Sequence, residues 1–208
     1  MNKKERALKV YGILNTKYPN VGTFLAYKNP YELLIAVILS AQCTDKRVNL
    51  VTPGLFSSFP TPERLSKGPL SLIKEKIKSI NFFNNKSKNI QETAELLVLR
   101  HHSKVPQTLN ELIKLPGVGR KTANVVLGQA FNTPGITVDT HVNRVSNRLG
   151  FTKQTDAVKA EKELMSLWPT DYWIKFSSIL ILHGRETCQA RKPLCDTCEF
   201  LAYCPFNK

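Results

Sequence analysis

Length and charge place this sequence among globular proteins with a polyanionic partner. The chain has 208 residues, enough for one domain or two small ones with a sizeable core. Lysine and arginine number 30 against 16 aspartates and glutamates, and a net charge of +14 favours a partner such as nucleic acid. The longest apolar run, at 33–39, is too short for a bilayer, which needs about 20 residues, and no signal peptide is recognisable. We therefore expect a cytoplasmic protein that does not enter a membrane.

Most of the chain has the periodicity of helices. Apolar residues recur at intervals of three and four in Ala7, Val10, Tyr11 and Leu14, and again in 33–38 and 90–98. Strand-like alternation bounded by hairpin turns is absent from the sequence. The predicted fold class is therefore all-α. Further helices are predicted at Asp139–Leu149, Thr155–Trp168 and Asp171–His183, and predicted breaks lie at Pro19, Pro30, Pro53, Pro60, Pro62, Pro69, Pro106, Pro134 and Pro169.

A glycine-rich hairpin between two predicted helices, LPGVGRKTANVVL at Leu115–Leu127, is the most informative motif. Thr108 and Glu111 form a T-x-x-E capping box that begins the first helix, and Pro116 is predicted to end it. The second helix is predicted to begin at about Gly119, where the first N–H groups have no partner and the helix dipole is positive. A helix-hairpin-helix of this kind can bind a phosphate.

The glycines of the hairpin allow positive φ and a close approach of the backbone to a ligand. The amides of Gly117, Val118 and Gly119 can then turn outward together, and Arg120 and Lys121 would lie beside bound DNA. The alternative is a tight turn in which the glycines serve geometry alone. The thirteen-residue string as a whole favours phosphate binding over that alternative.

Four of the five cysteines lie close together near the C-terminus, with the spacing C-x6-C-x2-C-x5-C. Without an export signal, this pattern indicates a metal or iron-sulfur site and not disulfides. Four thiolates suit either a tetrahedral zinc ion or an iron-sulfur cluster, although the six-residue first gap is unlike a zinc knuckle. Cys43, far upstream, is expected to be a small buried side chain. The predicted ligands are Cys188, Cys195, Cys198 and Cys204.

Four motifs together resemble the endonuclease III family, in the same order and at the same spacing. They are ILSAQCTD at 38–45, the hairpin string, VDTHVNRVSNRLG at 138–150 and HGRETCQARKPLCDTC at 183–198. The resemblance runs from about Tyr31 to Cys204. It implies a bifunctional DNA glycosylase and abasic-site lyase of base excision repair, which acts as a monomer on oxidised pyrimidines or abasic sites in double-stranded DNA.

The resemblance also implies the architecture and the cofactor. Two helical domains would flank a DNA-binding cleft. A six-helix domain with the helix-hairpin-helix would span 22–133, and a cluster domain would combine 1–21 with 134–208. The four cysteines would hold a 4Fe-4S cluster.

Two residues carry the chemistry that the resemblance implies. Lys121 matches the family's nucleophile, an amine that attacks the sugar, forms a Schiff base and so allows β-elimination. The amine must lose its proton, which desolvation in a closed pocket favours. Asp139 precedes a predicted helix, so it is expected to be an N-cap. The resemblance also makes it the carboxylate that stabilises positive charge on the sugar.

Further residues match positions where the family contacts DNA. Gln42 and Phe82 would enter the duplex when a base is flipped out, the amide facing the orphaned base and the ring wedging between steps. Asn81 stands where the family usually has glycine, and it tolerates positive φ less freely. Glu199 replaces a proline that many members have. The predicted DNA contacts are Gln42, Phe82, Gly117, Val118, Gly119, Arg120, His141, Arg191 and Lys192.

Two other functions fit parts of the pattern. A mismatch adenine glycosylase shares the hairpin, the aspartate and the cluster, but it lacks a lysine at the position of Lys121. A noncatalytic helix-hairpin-helix module would bind DNA through the hairpin and the metal site, and it would form no covalent bond with DNA.

Overall fold

A computed structural model describes residues 1–207. In this structure the chain forms two compact units. One unit is Thr23–Phe131, and the other combines Met1–Gly22 with the chain from Asn132 onward. Lys208, the last residue of the predicted cluster domain, lies outside the described residues. Helices, turns and loops account for residues 1–207, with no strand among them, so the predicted all-α class is confirmed. None of the helices in that range is long and apolar enough to cross a bilayer.

The unit Thr23–Phe131 is built around one helix that is buried on all sides. The nine residues Tyr31–Leu39 are all buried, which goes beyond the one-sided pattern predicted for this segment. Asn29 caps the helix and Pro30 occupies its first turn, where a missing N–H costs nothing. The α-helices of this unit are α2 (Pro30–Ser40), α3 (Asp45–Ser58), α4 (Pro62–Ser66), α5 (Leu70–Ile77), α6 (Phe83–His101), α7 (Leu109–Leu112) and α8 (Arg120–Phe131).

One predicted helix break is wrong. Pro53 lies inside α3, which continues to Ser58. A proline removes one backbone hydrogen bond and strains the preceding turn, but it does not forbid the helix when packing holds both halves. Here Val48 before the proline and Leu55 after it are both fully buried.

The second unit joins the two ends of the chain. The α1 residues that were predicted to face a core, Ala7, Val10, Tyr11 and Leu14, are the buried residues of that helix. Trp168 packs edge-on against Phe151 with ring centroids 5.2 Å apart, and its indole N–H donates to the Ala7 carbonyl at 3.2 Å. The α-helices of this unit are α1 (Lys3–Lys17), α9 (Thr140–Arg148), α10 (Ala157–Met165) and α11 (Trp173–Glu186).

Short 3-10 turns replace longer helices in the cysteine-rich tail. They lie at Cys195–Thr197, Leu201–Tyr203 and Pro205–Asn207, and a further 3-10 turn, Thr170–Tyr172, directly precedes α11. Glu199, in this tail, forms an ion pair with Lys17 of α1 at 2.5 Å. Burial is the largest single influence and raises the pKa of the Glu199 carboxyl. The hydrogen bond and charge of Lys17, a backbone hydrogen bond and the charge of His183 together outweigh burial, so the pKa is lowered. The residue that replaces a proline therefore ties the tail to α1.

Candidate active site and nucleic-acid interface

The hairpin follows a short helix that is capped as predicted but ends early. Thr108 Oγ1 accepts from the Glu111 N–H at 3.4 Å, and the Thr108 hydroxyl lies 2.9 Å from the Glu111 carboxylate. α7 ends at Leu112, well before Pro116, because the chain closes a second turn in which the Leu115 N–H donates to the Leu112 carbonyl. The Pro116 carbonyl accepts from the buried hydroxyl of Thr93 in α6 at 3.1 Å. The turn is thus anchored to the core before the glycines begin.

Gly117 and Val118 form the tight part of the turn. Gly117 has φ +76°, and an added Cβ would lie 3.0 Å from Asn89 and 3.1 Å from Ile38. The Val118 N–H donates to the Leu115 carbonyl at 3.1 Å, and its side chain is buried in the core. The Val118 amide, which is predicted to face a phosphate, thus closes the turn in the protein without DNA.

Gly119 and the start of α8 form the open part of the hairpin. An added Cβ at Gly119 would meet nothing within 4 Å, so this side of the backbone is open. α8 begins at Arg120, and the Gly119 carbonyl accepts from the Ala123 N–H at 2.9 Å. Arg120 and Lys121 are both exposed in the first turn of α8. The N–H groups of such a first turn have no acceptor within their own helix, so they favour an anion.

Gln42 and Phe82 lie on two loops that are bonded to each other. Both have left-handed backbones, with φ +53° at Gln42 and +58° at Phe82, and the Phe82 side chain is 64% exposed. The Asn81 side chain donates to the Gln42 carbonyl at 2.8 Å. Two exposed residues in a strained conformation, joined through one amide, are thus presented to solvent from the same unit.

Asn81 itself does not take the positive φ that a glycine at this position would suggest. The left-handed residue is its neighbour, Phe82, at the N-cap of α6. Asn81 instead uses its side chain, which glycine lacks, to bond the neighbouring loop. No sequence pattern indicated this contact, because the two partners lie 39 positions apart in the chain.

In the other unit, Asp139 is the N-cap of α9. Its Oδ1 accepts from the N–H groups of His141 at 2.9 Å and Val142 at 2.8 Å. Both bonds converge on one carboxylate oxygen, and the residue is only half-buried. The predicted capping geometry of Asp139 is therefore present in the structure.

His141 packs against α11 and not only toward solvent. Its Cβ lies 3.1 Å from the position that a Cβ on Gly184 would take, and its Nδ1 lies 3.3 Å from the Arg144 guanidinium. Burial lowers the pKa of His141, and the neighbouring Arg144 and Arg185 act in the same direction, while Asp139 opposes them. A neutral ring can still donate one hydrogen bond to a phosphate, so this geometry is compatible with the predicted contact.

All four tail cysteines line one cavity. It has about 360 Å³ of unfilled volume, part of it open to solvent, and its wall is otherwise largely apolar. None of the cysteines is in a disulfide, and burial raises the pKa of the Cys198 thiol. Among residues 1–207, no three His, Cys, Asp or Glu side chains converge closely enough to hold a single metal ion.

Cys43, the fifth cysteine, lies in the unit Thr23–Phe131. Its side chain is half-buried against the core of that unit, and so it is less buried than the sequence predicts.

The loop between Cys188 and Cys195 is held by two arginines that the sequence interpretation missed. Arg148 donates to the carbonyls of Gln189 at 2.7 Å and Ala190 at 2.9 Å, and Arg144 donates to the Cys188 carbonyl at 3.1 Å. The two arginines are four positions apart on α9, a spacing that places them on one helix face and could have indicated a shared role.

The remaining predicted contacts of this unit lie on that loop. Arg191 and Lys192 are exposed next to the carbonyls that Arg148 holds. A loop held in this way loses little freedom when its side chains bind a ligand.

Comparison with known proteins decides the family. Residues 35–170 match the family model described as HhH-GPD superfamily base excision DNA repair protein. Endonuclease III of Synechocystis sp. is 50% identical over 205 residues, which are 98% of this chain and 94% of that protein. Endonuclease III of Escherichia coli is 41% identical over 208 residues, covering 100% of this chain and 98% of that protein. The chain belongs to the endonuclease III family.

Solved structures agree with this family. A non-covalent complex of endonuclease III with DNA has a TM-score of 0.93 at 42% identity, and it covers 100% of this chain and 97% of that one. A trapped covalent intermediate of endonuclease III with DNA has the same TM-score and identity. As a member of the endonuclease III family, this protein is a base excision repair enzyme with DNA glycosylase and abasic-site lyase activities.

Proposed function

We propose that this enzyme removes oxidised pyrimidines from double-stranded DNA and cleaves the strand at the abasic site through a Schiff base on Lys121. The observation that carries the proposal is the position of Lys121, exposed in the first turn of α8 and directly after the open backbone of Gly119. A phosphate bound at that helix start would bring a nucleotide beside the amine. The covalent DNA intermediate of a protein 42% identical to this chain supports a covalent step between enzyme and DNA.

The proposed chemistry needs a neutral amine. Nζ attacks C1′, and the damaged base leaves as an anion that takes up a proton. The amine then loses a proton and the C1′–O4′ bond breaks, with O4′ taking up a proton, so that the opened sugar is joined to Lys121 as a Schiff base. Removal of a proton from C2′ then expels the 3′ phosphate, which completes β-elimination. Because Lys121 is exposed in the protein alone, desolvation of the amine has to accompany DNA binding.

Asp139 is proposed as the carboxylate that stabilises positive charge on the sugar and assists proton transfer. Its two bonds from the backbone of α9 fix the orientation of the carboxylate, and both use Oδ1. Fixed orientation is what electrostatic stabilisation of a transition state requires, because no reorganisation is then needed during the reaction.

The four tail cysteines are proposed to hold a 4Fe-4S cluster in the second unit, at the C-terminal end of the proposed cluster domain. All four line one cavity. Four cysteine thiolates are the ligand set of such a cluster, and the six-residue gap between the first two cysteines is unlike the paired cysteines of a zinc knuckle. Such a cluster would cross-link a tail that has little core of its own. The protein residues Arg144 and Arg148 would then orient the loop that carries Arg191 and Lys192.

The remaining proposed roles are contacts with DNA. Gln42 would face the base opposite the lesion and Phe82 would wedge between base steps, since both side chains are exposed. The other proposed contacts are with the sugar-phosphate backbone of the DNA. They would come from the hairpin residues Gly117, Gly119 and Arg120, and from His141, Arg191 and Lys192 in the other unit. The relatives come from bacteria, which supports action in the cytoplasm, associated with the nucleoid. The enzyme is proposed to act there as a monomer.

Borohydride trapping tests the nucleophile. Duplex DNA with thymine glycol or an abasic site is incubated with the enzyme and sodium borohydride, which reduces a Schiff base to a stable adduct. We expect an adduct from the wild type, none from Lys121→Ala, and a normal yield from Lys114→Ala, which removes another exposed lysine directly before the hairpin. An adduct that persists in Lys121→Ala would assign the nucleophile elsewhere. No adduct in the wild type would favour the noncatalytic module.

A further inference from the structure

A buried lysine lies directly behind the loop that carries Gln42. Lys86 is only 6% exposed, and its Nζ donates to the carbonyls of Leu39 at 2.9 Å and Ala41 at 2.5 Å. These acceptors lie at the C-terminal end of α2, where the last carbonyls have no N–H partner within the helix. The proposed catalytic steps use Lys121 and Asp139, so they leave Lys86 without a role.

Burial of this ammonium group needs an explanation. Desolvation lowers the pKa of Lys86, partly offset by the neighbouring Cys43. The helix C-terminus stabilises a cation. An apolar side chain of similar volume often stabilises a core as well as a buried charge does, so the presence of a lysine suggests a role other than stability. We look for that role in the segment whose carbonyls the lysine binds, residues 39–41.

The restrained segment continues into Gln42. Lys86 holds the carbonyls of residues 39 and 41, and the Asn81 side chain holds the carbonyl of Gln42 at 2.8 Å. Three carbonyls of one short stretch are thus bonded from the start of α6 and the loop before it. Gln42 has φ +53°, a conformation that a glutamine keeps only when its surroundings impose it.

The same three bonds connect Gln42 to Phe82. Asn81 precedes Phe82 and Lys86 follows it in the first turn of α6, so the loop that presents the ring also fixes the loop that presents the amide. A side chain that is already ordered before binding loses less entropy when it enters the DNA.

We propose that Lys86, with Asn81, is a positioning residue that holds Gln42 in its left-handed conformation and in fixed relation to Phe82 for entry into the duplex. This inference rests on the proposed function, in which Gln42 faces the base opposite the lesion. Lys86 touches neither DNA nor the reacting atoms. It acts through the backbone of residues 39–42.

A double-mutant cycle tests the inference. The probes are two labelled duplexes, one with a tetrahydrofuran abasic-site analogue and one undamaged, and the measurement is the dissociation constant by fluorescence anisotropy. The variants are Gln42→Ala, Lys86→Met and their combination. Lys88→Met is the matched control, because it removes one exposed charge from the same helix.

We expect Lys86→Met to weaken binding of the analogue duplex by about tenfold, the effect of losing charge-assisted hydrogen bonds. Binding of the undamaged duplex should change no more than in Lys88→Met. The double variant should bind the analogue duplex as Gln42→Ala does, because a misplaced amide and a missing amide are equivalent.

Three results would overturn the inference. They are additive effects in the double variant, an equal loss on both duplexes, or wild-type binding by Lys86→Met. If Gln42→Ala itself binds normally, the proposed role of Gln42 fails and the inference fails with it. Normal binding by Lys86→Met beside weak binding by Gln42→Ala would reject the inference alone. If Lys86→Met does not fold, Asn81→Ala replaces it in the same cycle, since Asn81 is exposed.

Discussion

Single residues of this protein hold conformations that their side chains alone would not choose. Gln42 and Phe82 both have positive φ, and each such residue costs on the order of 1–3 kcal/mol. Non-glycine residues in this region concentrate at sites where the surrounding structure has a functional reason to impose them. The family resemblance assigns the same two residues to entry into the duplex, where the Gln42 amide would face the orphaned base and the Phe82 ring would wedge between base steps.

Asp139 combines a structural and a chemical role that one substitution separates. Asn caps helices as well as Asp does, so Asp139→Asn should keep the bonds to the N–H groups of His141 and Val142. We expect its melting temperature and DNA affinity to stay close to those of the wild type while turnover collapses. Asp139→Ala should lose turnover and also about 1 kcal/mol of stability with the cap. Thermal melting, anisotropy and strand cleavage measure the three properties. Normal turnover in Asp139→Asn would reduce Asp139 to a cap.

At the scale of elements, the two glycines of the hairpin have different roles. Gly117 is required by the turn, because its φ is +76° and an added Cβ would press on Asn89 and Ile38. Gly119 has open space where a Cβ would point. The first glycine therefore serves the fold, and the second keeps the backbone accessible.

Alanine at each position distinguishes these roles. Gly117→Ala should destabilise the protein by about 1–2 kcal/mol, the cost of a side chain in a left-handed conformation, as measured by denaturant unfolding. Gly119→Ala should leave stability within about 0.5 kcal/mol of wild type, as for surface substitutions. The affinity of Gly119→Ala for DNA should nevertheless fall, because the new methyl group would take the space in which a DNA phosphate approaches the backbone. Unchanged affinity in Gly119→Ala would place the phosphate elsewhere.

The cysteine tail is an element that depends on α9. Arg148 holds two consecutive carbonyls of the loop with two different guanidinium nitrogens, a fork that lysine cannot reproduce. If the cavity holds an iron-sulfur cluster, Arg148→Lys should lose it faster in air. Visible absorption together with iron, sulfide and zinc analysis measures the loss, and Arg100→Lys, at an exposed position, is the control. Zinc in place of iron in the wild type would contradict the proposed cofactor.

At the scale of the whole molecule, charge governs binding. A net charge of +14 favours a polyanion without regard to base sequence, and such binding releases counterions. Affinity for undamaged duplex should therefore fall steeply with salt. Replacement of a lysine or arginine that contacts a phosphate should reduce the slope of log K against log[salt] by about 1.

Lys192→Ala tests this expectation for the cysteine loop. We expect it to reduce the salt slope by about 1 and to weaken damaged and undamaged duplexes by a similar factor. Lys153→Ala, another exposed lysine of the same unit, should leave the slope unchanged. Anisotropy titrations at several salt concentrations give both slopes. Equal slopes for wild type and Lys192→Ala would remove this residue from the interface.

Local signals in the sequence predicted much of this molecule because their physical causes are local. The apolar spacing of α1 identified its four buried residues, and Asp139 was recognised as a cap from its place before a helix. The family and its enzymatic activities were confirmed, since the motifs that carry them are contiguous strings. Two predictions were wrong. α7 ends before Pro116 because a turn closes after Leu112, and α3 continues through Pro53 because packing holds the helix on both sides of the proline.

By itself, the sequence determined the all-helical class, the family and the chemical types of residue at each proposed site. Only the tertiary structure decided which backbone groups are already occupied. It assigned the Val118 amide to the turn, moved the positive φ from Asn81 to Phe82, and brought Lys86 to the carbonyls of Leu39 and Ala41. The physical reason is that hydrogen-bond partners distant in the chain meet only after the core has packed. The spacing of apolar residues along the sequence does not indicate such pairs.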